Sequence, residues 1–337
     1  MRVDLSSTLK ALVLIAASAG VAFAAAAPAA AEPLKVVATI KPVHSLAASV
    51  MEGVGEPALL LKGAASPHSY ALKPSDARLL NDADVIIRVS ENLEAFLEKS
   101  LKTLPDNARI VTLDAAPGLE LLPVREGGNF EAHDHDHGHG HSHGHKHGHG
   151  HSHGKKGESH DHGNKDVHFW LDPVNGAALA SYIAEELAKA DPANAETYRA
   201  NAAKLKTSLE ALNAELQEKL KPVADKPFIV FHDIMQYFET RYGLKTAGAI
   251  TVSPERQPGA RRLREVRAKI EKLGAVCVFS EPQFPPKLVS TLVEKTKART
   301  GTLDEVGVEV PEGPQHYAGL LRWNADNLVE CLSGARS

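Results

Sequence analysis

The sequence predicts an α/β protein in which two lobes, each built of βαβ units around a parallel sheet, are joined by one long rigid helix. Short runs rich in β-branched residues alternate with longer amphipathic stretches, and this alternation is typical of βαβ units. Continuous apolar runs such as "FIVF" suit strands that are buried on both faces of a parallel sheet. The predicted strands lie at 34–40, 83–90, 108–113, 227–233 and 275–281.

A single helix of about seven turns is predicted between the third and fourth strands. Its apolar residues recur at spacings of three and four, as they do on one face of a helix. They are Tyr198, Ala202, Leu205, Leu209, Leu212, Leu216 and Leu220. Pro222 ends this helix, because proline cannot continue it. We therefore predict an N-terminal lobe at 32–193, the connecting helix at 194–222 and a C-terminal lobe at 223–337.

Residues 1–31 have the composition of a cleaved secretory signal peptide. Arg2 and Lys10 give a positively charged start, an alanine-rich apolar run follows, and "APAAAEP" fits a cleavage site near Ala31. The alternative is a membrane anchor, but the run is barely long enough to span a bilayer. We therefore expect an exported protein that lies in the periplasm and does not insert into the membrane.

The net charge argues against nucleic acid as a partner. The whole chain carries −4, and loss of Arg2, Asp4 and Lys10 with the signal peptide takes this to −5. A chain that binds the phosphate backbone is expected to be basic, because phosphate contacts are made largely by lysine and arginine.

The chain has two cysteines, Cys277 and Cys331. In an oxidising compartment a lone pair of cysteines most simply forms a disulfide. The alternative is a pair of buried free thiols. A thiolate metal site is disfavoured, because neither cysteine has a histidine or another cysteine nearby in sequence.

A histidine-rich insert interrupts the first lobe at 127–165. It has no apolar residue between Ala132 and Val167, so it cannot offset its own ordering entropy and we expect it to be disordered. Thirteen of the eighteen histidines lie here and are predicted to be auxiliary metal ligands. They are His133, His135, His137, His139, His141, His143, His145, His147, His149, His151, His153, His160 and His162.

Five histidines lie outside the insert, and the sequence context of three of them favours a role as metal ligands. His232 ends a strand-like run, and ligands in open α/β sheets gather beyond the carboxyl ends of strands. His68 lies in a loop that Pro67 stiffens. His168 lies directly after the histidine-rich insert, where ordered structure is expected to begin again. Taken alone, each is also compatible with a structural role. The remaining two, His44 and His316, are interpreted as structural.

Glu281 ends the other clear strand of the second lobe, so we expect it to face the same cleft as His232. It is a candidate for the fourth metal ligand or for a carboxylate that orients a metal-bound histidine. Three imidazoles suit Zn²⁺, with a fourth position for water or oxygen. They disfavour calcium, magnesium and manganese, which prefer oxygen ligands, but they do not exclude copper or nickel.

Several motifs together resemble those of a known family: "GAASPHSYALKPSDARLLNDADVII", the histidine-rich insert, "HFWLDP", "VFHDIMQYFETRYGL", "VSPERQPGARRL" and "CVFSEPQF". In order and spacing they are similar to the zinc-specific periplasmic binding proteins (ZnuA type) of bacterial ABC importers, over essentially the whole mature chain. The resemblance implies metal ligands at His68, His168 and His232, with Glu281 or water in the fourth position. It also implies a disulfide between Cys277 and Cys331.

The function that this resemblance implies is zinc capture in the cleft between the lobes and delivery to an inner-membrane permease that works with a cytoplasmic ATPase. Zn²⁺ is then the transported ligand, the protein is not an enzyme, and we expect a monomer. The insert is expected to collect or sense zinc, or to act as an uncoupled buffer. The alternatives are a periplasmic zinc store, a binding protein for manganese, copper or nickel, and a zinc hydrolase. The sequence has no H-E-x-x-H motif for the last of these.

Overall fold

The structure is a computed structural model. It describes residues 33–105, 108–125, 130, 165–251, 254, 258–294 and 296–334. The predicted signal peptide and the thirteen auxiliary histidines lie outside the described residues, so those predictions remain predictions. Within the described part of the chain, no helix combines the length and apolar character that a membrane span requires.

The first lobe contains a parallel sheet with the strand order β2-β1-β3-β4. Its strands are β1 (Val36–Ala38), β2 (Ala58–Leu59), β3 (Val85–Arg88) and β4 (Arg109–Thr112). Its helices are α1 (Lys41–Val50), α2 (Pro74–Asn81) and α3 (Glu98–Leu101). The central strands β1 and β3 are buried along their whole length, as expected for strands covered on both faces.

The second lobe repeats this arrangement, with the parallel order β6-β5-β7-β8. Its strands are β5 (Pro227–Val230), β6 (Lys245–Ala249), β7 (Cys277–Ser280) and β8 (Arg299–Thr302). Its helices are α6 (Gln236–Tyr242), α7 (Ala260–Leu273) and α8 (Lys287–Val293). In both lobes the first strand in sequence pairs with the second and the third. The predicted fold class of two parallel-sheet α/β lobes is therefore confirmed.

Three long helices lie outside the two sheets: α4 (Pro173–Ala190), α5 (Ala195–Leu220) and α9 (His316–Ser333). Helix α5 falls within the predicted range 194–222, and Pro222 lies in the short 3₁₀ turn that follows it. Four of its leucines, including Leu209 and Leu216, are buried, and the helix packs against α4, α1 and α9. Helix α9 follows the second lobe in sequence but packs on α1 of the first lobe as well as on β8.

A disulfide links Cys277 in β7 to Cys331 in α9, with their Cα atoms 6.2 Å apart. This confirms the predicted pairing. The bond attaches the C-terminal helix to a central strand of the second sheet.

The sequence prediction missed three strands that the structure contains, namely β2, β6 and β8. All three are edge strands, and β6 ("KTAGA") and β8 ("RTGT") are rich in small and polar residues. An edge strand is less buried than a central one, so it lacks the continuous apolar run on which the prediction relied. The predicted strand 227–233 also ends earlier, at Val230, which leaves His232 beyond the carboxyl end of β5.

Candidate metal centre

Four side chains converge between the two lobes: His68, His168, His232 and Glu305. Each offers one ligand atom, and these atoms all lie within 4.8 Å of one another. The Nε2 atoms of His68 and His168 are 3.3 Å apart, and each is 3.3 Å from Glu305 Oε2. The Nε2 atom of His232 is 3.9 Å from the same oxygen. A tetrahedral zinc site with bonds of about 2.0–2.1 Å separates its ligand atoms by about 3.3 Å, so the cluster has suitable dimensions.

The elements that carry these side chains explain why they meet. His232 follows β5 and Glu305 follows β8, both at the carboxyl edge of the second sheet. His68 lies in the connection between β2 and α2, and His168 immediately precedes a 3₁₀ turn at Phe169–Leu171. The carboxyl edge of a parallel sheet is where ligands gather in open α/β folds.

Two of the histidines are oriented by carboxylates in the same way. His168 Nδ1 donates to Asp166 Oδ1 at 2.7 Å, and His232 Nδ1 donates to the Glu281 carboxylate at 2.8 Å. The backbone N–H of each histidine donates to the same carboxylate, at 3.0 and 3.1 Å. A proton held on Nδ1 leaves the Nε2 lone pair directed at the cluster, which is how metal-binding histidines are usually prepared.

Glu281 therefore lies beside Nδ1 of His232 rather than among the four converging ligand atoms. The carboxylate that does converge with the imidazoles belongs to Glu305, which the sequence analysis did not identify. The available signal was weak, because Glu305 follows the edge strand β8, whose sequence "RTGT" does not have an apolar pattern.

Burial and charge perturb the titration of these groups. Burial lowers the pKa of His232 to about 4. Burial also acts to lower the pKa of His168, but the charges of Asp166 and Glu305 outweigh it and raise that pKa to about 10. For Glu305, burial acts to raise the pKa, and the surrounding imidazoles hold it well below its usual range. Burial, reinforced by the charge of Glu305, raises the pKa of Glu281 well above its usual range.

The cluster is nearly closed to solvent. The side chains of His168 and His232 are 7% and 2% exposed and that of Glu305 is fully buried, whereas His68 is 17% exposed. Within the cluster, His232 Nε2 and Glu305 Oε1 are buried without a hydrogen-bond partner among the described residues. A buried polar atom without a partner costs about 1–3 kcal/mol. Coordination of a cation at the centre of the cluster would offset that cost.

The backbone around Glu305 is held from both lobes. Trp170 Nε1 donates to the Glu305 carbonyl oxygen at 2.8 Å. The neighbouring Asp304 is bound at its backbone N–H and C=O by the Asn324 amide, at 2.9 and 2.8 Å. Asp304 Oδ1 in turn accepts from the backbone N–H of Val306 at 2.9 Å. These contacts hold the backbone that carries the Glu305 side chain.

Comparison with known proteins identifies the family. Residues 36–331 match the family model described as "Zinc-uptake complex component A periplasmic". The chain belongs to the ZnuA family. This confirms the resemblance inferred from the motifs.

Among curated ZnuA proteins, the "High-affinity zinc uptake system protein ZnuA" of Brucella suis biovar 1 (strain 1330) is 54% identical over 305 residues, which cover 88% of this chain and 91% of that protein. The protein of the same name from Paracoccus denitrificans (strain Pd 1222) is 42% identical over 309 residues, which cover 91% and 94% of the two chains. A solved structure described as "Crystal structure of ZnuA" aligns with a TM-score of 0.70 at 24% identity, over 89% of this chain and all of that one. This structural likeness supports the fold.

The two other histidines that lie outside the insert of this ZnuA-family chain make structural contacts. His44 Nε2 lies 2.9 Å from the Pro57 carbonyl oxygen. His316 is 1% exposed, and its two ring nitrogens lie within hydrogen-bond distance of backbone carbonyl oxygens, including that of Val306 at 2.8 Å. Neither belongs to the converging cluster, which agrees with their interpretation as structural residues.

Proposed function

We propose that this protein is the zinc-binding component of an ABC-type zinc uptake system. It captures Zn²⁺ in the periplasm and delivers it to an inner-membrane permease that works with a cytoplasmic ATPase. The observation that carries the proposal is the convergence of three imidazoles and one carboxylate at a single point between the lobes of a ZnuA-family chain.

In this proposal His68, His168, His232 and Glu305 are the zinc ligands. Glu281 orients His232, and Asp166 orients His168. Three nitrogens and one oxygen suit Zn²⁺ better than calcium, magnesium or manganese, while copper and nickel are the serious competitors. The substrate is therefore a divalent transition-metal ion. The four side chains replace most or all of the hydration shell of that ion.

Capture and release follow from the geometry of the cluster. The ion enters past His68, the most exposed of the four side chains, and completes its coordination on the buried ligands of the second lobe. Small tilts of the lobes are sufficient to separate the two halves of the site, because the ligands are divided between them. The relatives described above are components of uptake systems, and we assign no enzymatic activity to this chain. We expect it to act as a monomer.

The histidine-rich insert has a separate role in this proposal, as an auxiliary collector or sensor of zinc. Folding even eight residues of such a segment around one ion costs on the order of 10 kcal/mol of backbone entropy. The preformed cluster avoids most of that cost. We therefore expect the insert to bind several ions more weakly than the cluster and to exchange them faster.

The test is a calorimetric titration of zinc into the full chain and into a variant that lacks residues 133–162. Uptake through the cluster predicts that about one tight site survives the deletion. A zinc-storage protein predicts near-total loss of binding, which would contradict the proposal. Titration in the presence of manganese or copper follows, and a tight preference for manganese would overturn the zinc assignment.

A further inference from the structure

Helix α6 begins shortly after His232 and turns a polar face to the first lobe. Gln236 Nε2 donates to the Pro123 carbonyl oxygen at 3.0 Å. The Tyr237 hydroxyl donates to the Asp166 carbonyl oxygen at 2.7 Å and accepts from the Leu122 N–H at 3.0 Å. Tyr237 is 2% exposed, so these hydrogen bonds are shielded from water.

Arg125 of the first lobe binds α6 and the segment just before it through charge. Its guanidinium donates two N–H groups to the Asp233 carboxylate, with Nε to Oδ2 at 2.8 Å, and a third to Glu239 Oε2 at 2.5 Å. The three side chains are 21%, 18% and 18% exposed. A multidentate ion pair that is this buried is geometrically specific and less screened by salt than a surface pair.

The far end of α6 is bound in a similar way. Arg241 donates two hydrogen bonds to Asp172, with Nε to Oδ1 at 3.0 Å and Nη2 to Oδ2 at 2.6 Å. Asp172 is the residue that caps the start of α4. The residues that contact the first lobe, here called the polar face, are Gln236, Tyr237, Glu239 and Arg241 on α6, together with Asp233, which lies three residues before the helix begins.

These contacts connect the two halves of the metal centre. Leu122 and Pro123 pair with the segment that leads to His168, through a bridge between Pro123 and Lys165 and a hydrogen bond from Asp166 N to Leu122 O at 2.9 Å. Helix α6 is continuous in sequence with His232 and is bonded laterally to the segment that carries His168. Asp233, which binds Arg125, directly follows His232, and Tyr237 binds the Asp166 carbonyl two residues before His168, so a movement of one histidine relative to the other is expected to strain these contacts.

We propose that the polar face of α6 is a clamp that sets the spacing of His168 and His232 and so controls the rate of zinc release. Arg125 is its principal positioning residue. The proposal rests on the function proposed above, since it assumes that the converging side chains bind the ion. It adds a regulatory contact, remote from the coordinated ion, through which the lifetime of the bound state is adjusted.

The experiment compares Arg125→Gln with the matched control Arg322→Gln. Arg322 forms a two-nitrogen contact with a single carboxylate, Glu215, between helices α9 and α5, and these side chains are more exposed, at 44% and 43%. Zinc dissociation is measured by stopped flow into excess chelator, together with the equilibrium affinity and the melting temperatures of the zinc-free and zinc-loaded forms. We expect Arg125→Gln to raise the dissociation rate about 10-fold, the scale of effect seen when a partner that orients metal ligands is removed. Arg322→Gln is expected to leave the rate unchanged.

Two further variants keep the test decisive. Arg125→Lys retains the charge but not the two-nitrogen geometry, and we expect only partial recovery of the slow rate. Glu239→Gln removes the ion pair between Arg125 and Glu239 by changing the second lobe instead of the first. It replaces Arg125→Gln in the test if that variant does not fold. In the double variant Arg125→Gln/Glu239→Gln, the two effects on the zinc dissociation rate should be less than additive, because both changes act on one contact.

The outcomes separate this proposal from the one on which it rests. If Arg125→Gln and Glu239→Gln lower both melting temperatures equally and leave the dissociation rate unchanged, the contact only stabilises the fold and the clamp is overturned. If the wild-type chain itself has no tight zinc site, the proposed function fails, whatever Arg125 does.

Discussion

The two lobes have the same strand order but supply their halves of the metal centre differently. In the second lobe, His232 lies two residues beyond β5 and Glu305 three residues beyond β8. In the first lobe, His68 and His168 come from long connections, and His68 is the most exposed member of the cluster. A ligand close to a strand end is fixed by the sheet, whereas a loop ligand depends on local hydrogen bonds. We therefore expect the second lobe to provide the more rigid half of the site and the first lobe the more exposed one.

The largest expected effect distinguishes a buried ligand from an exposed one. We expect His232→Ala to weaken zinc binding by more than about 100-fold, since loss of an orienting partner alone costs about 10–100-fold. His68→Ala should cost less, because water can replace a side chain that is 17% exposed. Calorimetric titration of each variant checks this, with His44→Ala as a control that should bind as the wild type does. A larger loss in His68→Ala than in His232→Ala would reverse the comparison of the two lobes.

A smaller effect is expected from the carboxylates that orient the histidines, one in each lobe. Asp166→Asn and Glu281→Gln should each weaken zinc binding by about 10–100-fold, because a neutral amide is a weaker acceptor than a carboxylate and holds the imidazole ring and its proton less firmly. Glu218→Gln, at an exposed position on α5, is the control. Competition with a chelator of known affinity measures the loss. If Glu281→Gln abolished binding as fully as Glu305→Gln, Glu281 would have to be counted among the ligands.

Of the two buried histidines, His168 rather than His232 should give the pH dependence. His232, with its pKa lowered to about 4, is neutral above pH 5. His168, with its pKa raised to about 10, is a charged imidazolium at neutral pH, with a second proton in addition to the one on Nδ1. Zinc must displace that proton, so affinity should rise with pH below about 10, by about tenfold per unit for one proton.

Calorimetry in buffers of different ionisation enthalpy measures the number of protons released. We expect about one proton per zinc at neutral pH, and fewer in Asp166→Asn, because that change removes a charge that raises the pKa of His168. Zinc binding that released no proton in the wild-type chain would contradict this prediction.

The smallest effect on zinc binding is expected from the disulfide. It closes a separation of 54 residues, so its loss in Cys277→Ser should lower the free energy of unfolding by about 4 kcal/mol on the chain-entropy model. The zinc affinity of the folded protein should change little, because Cys277 lies at the start of β7, at the opposite end of that strand from Glu281 and the cluster. Denaturant unfolding and calorimetry measure the two quantities separately. A large loss of affinity in a folded Cys277→Ser variant would show that Asn324 of α9 holds Asp304, and with it Glu305, only while the disulfide is intact.

The sequence predicted the central strands, the long helix and the three histidines that converge, because each has a local signal. Strand β5 is a continuous apolar run, and a histidine just beyond it is conspicuous. Glu305 has no such signal, because its strand is a polar edge strand that only pairing with β7 defines. The clamp has none either, since Arg125 and Asp233 are separated by 108 residues and meet only through tertiary packing.

The position of Trp170 places an intrinsic fluorophore beside the metal centre. Its ring lies 5.5 Å from the ring of His168, and its indole N–H donates to the backbone of Glu305, so it touches a proposed ligand from each lobe. The chain has one other tryptophan, Trp323, which lies on α9. In a Trp323→Phe background, the fluorescence of Trp170 would therefore report arrival and departure of the ion without any attached dye.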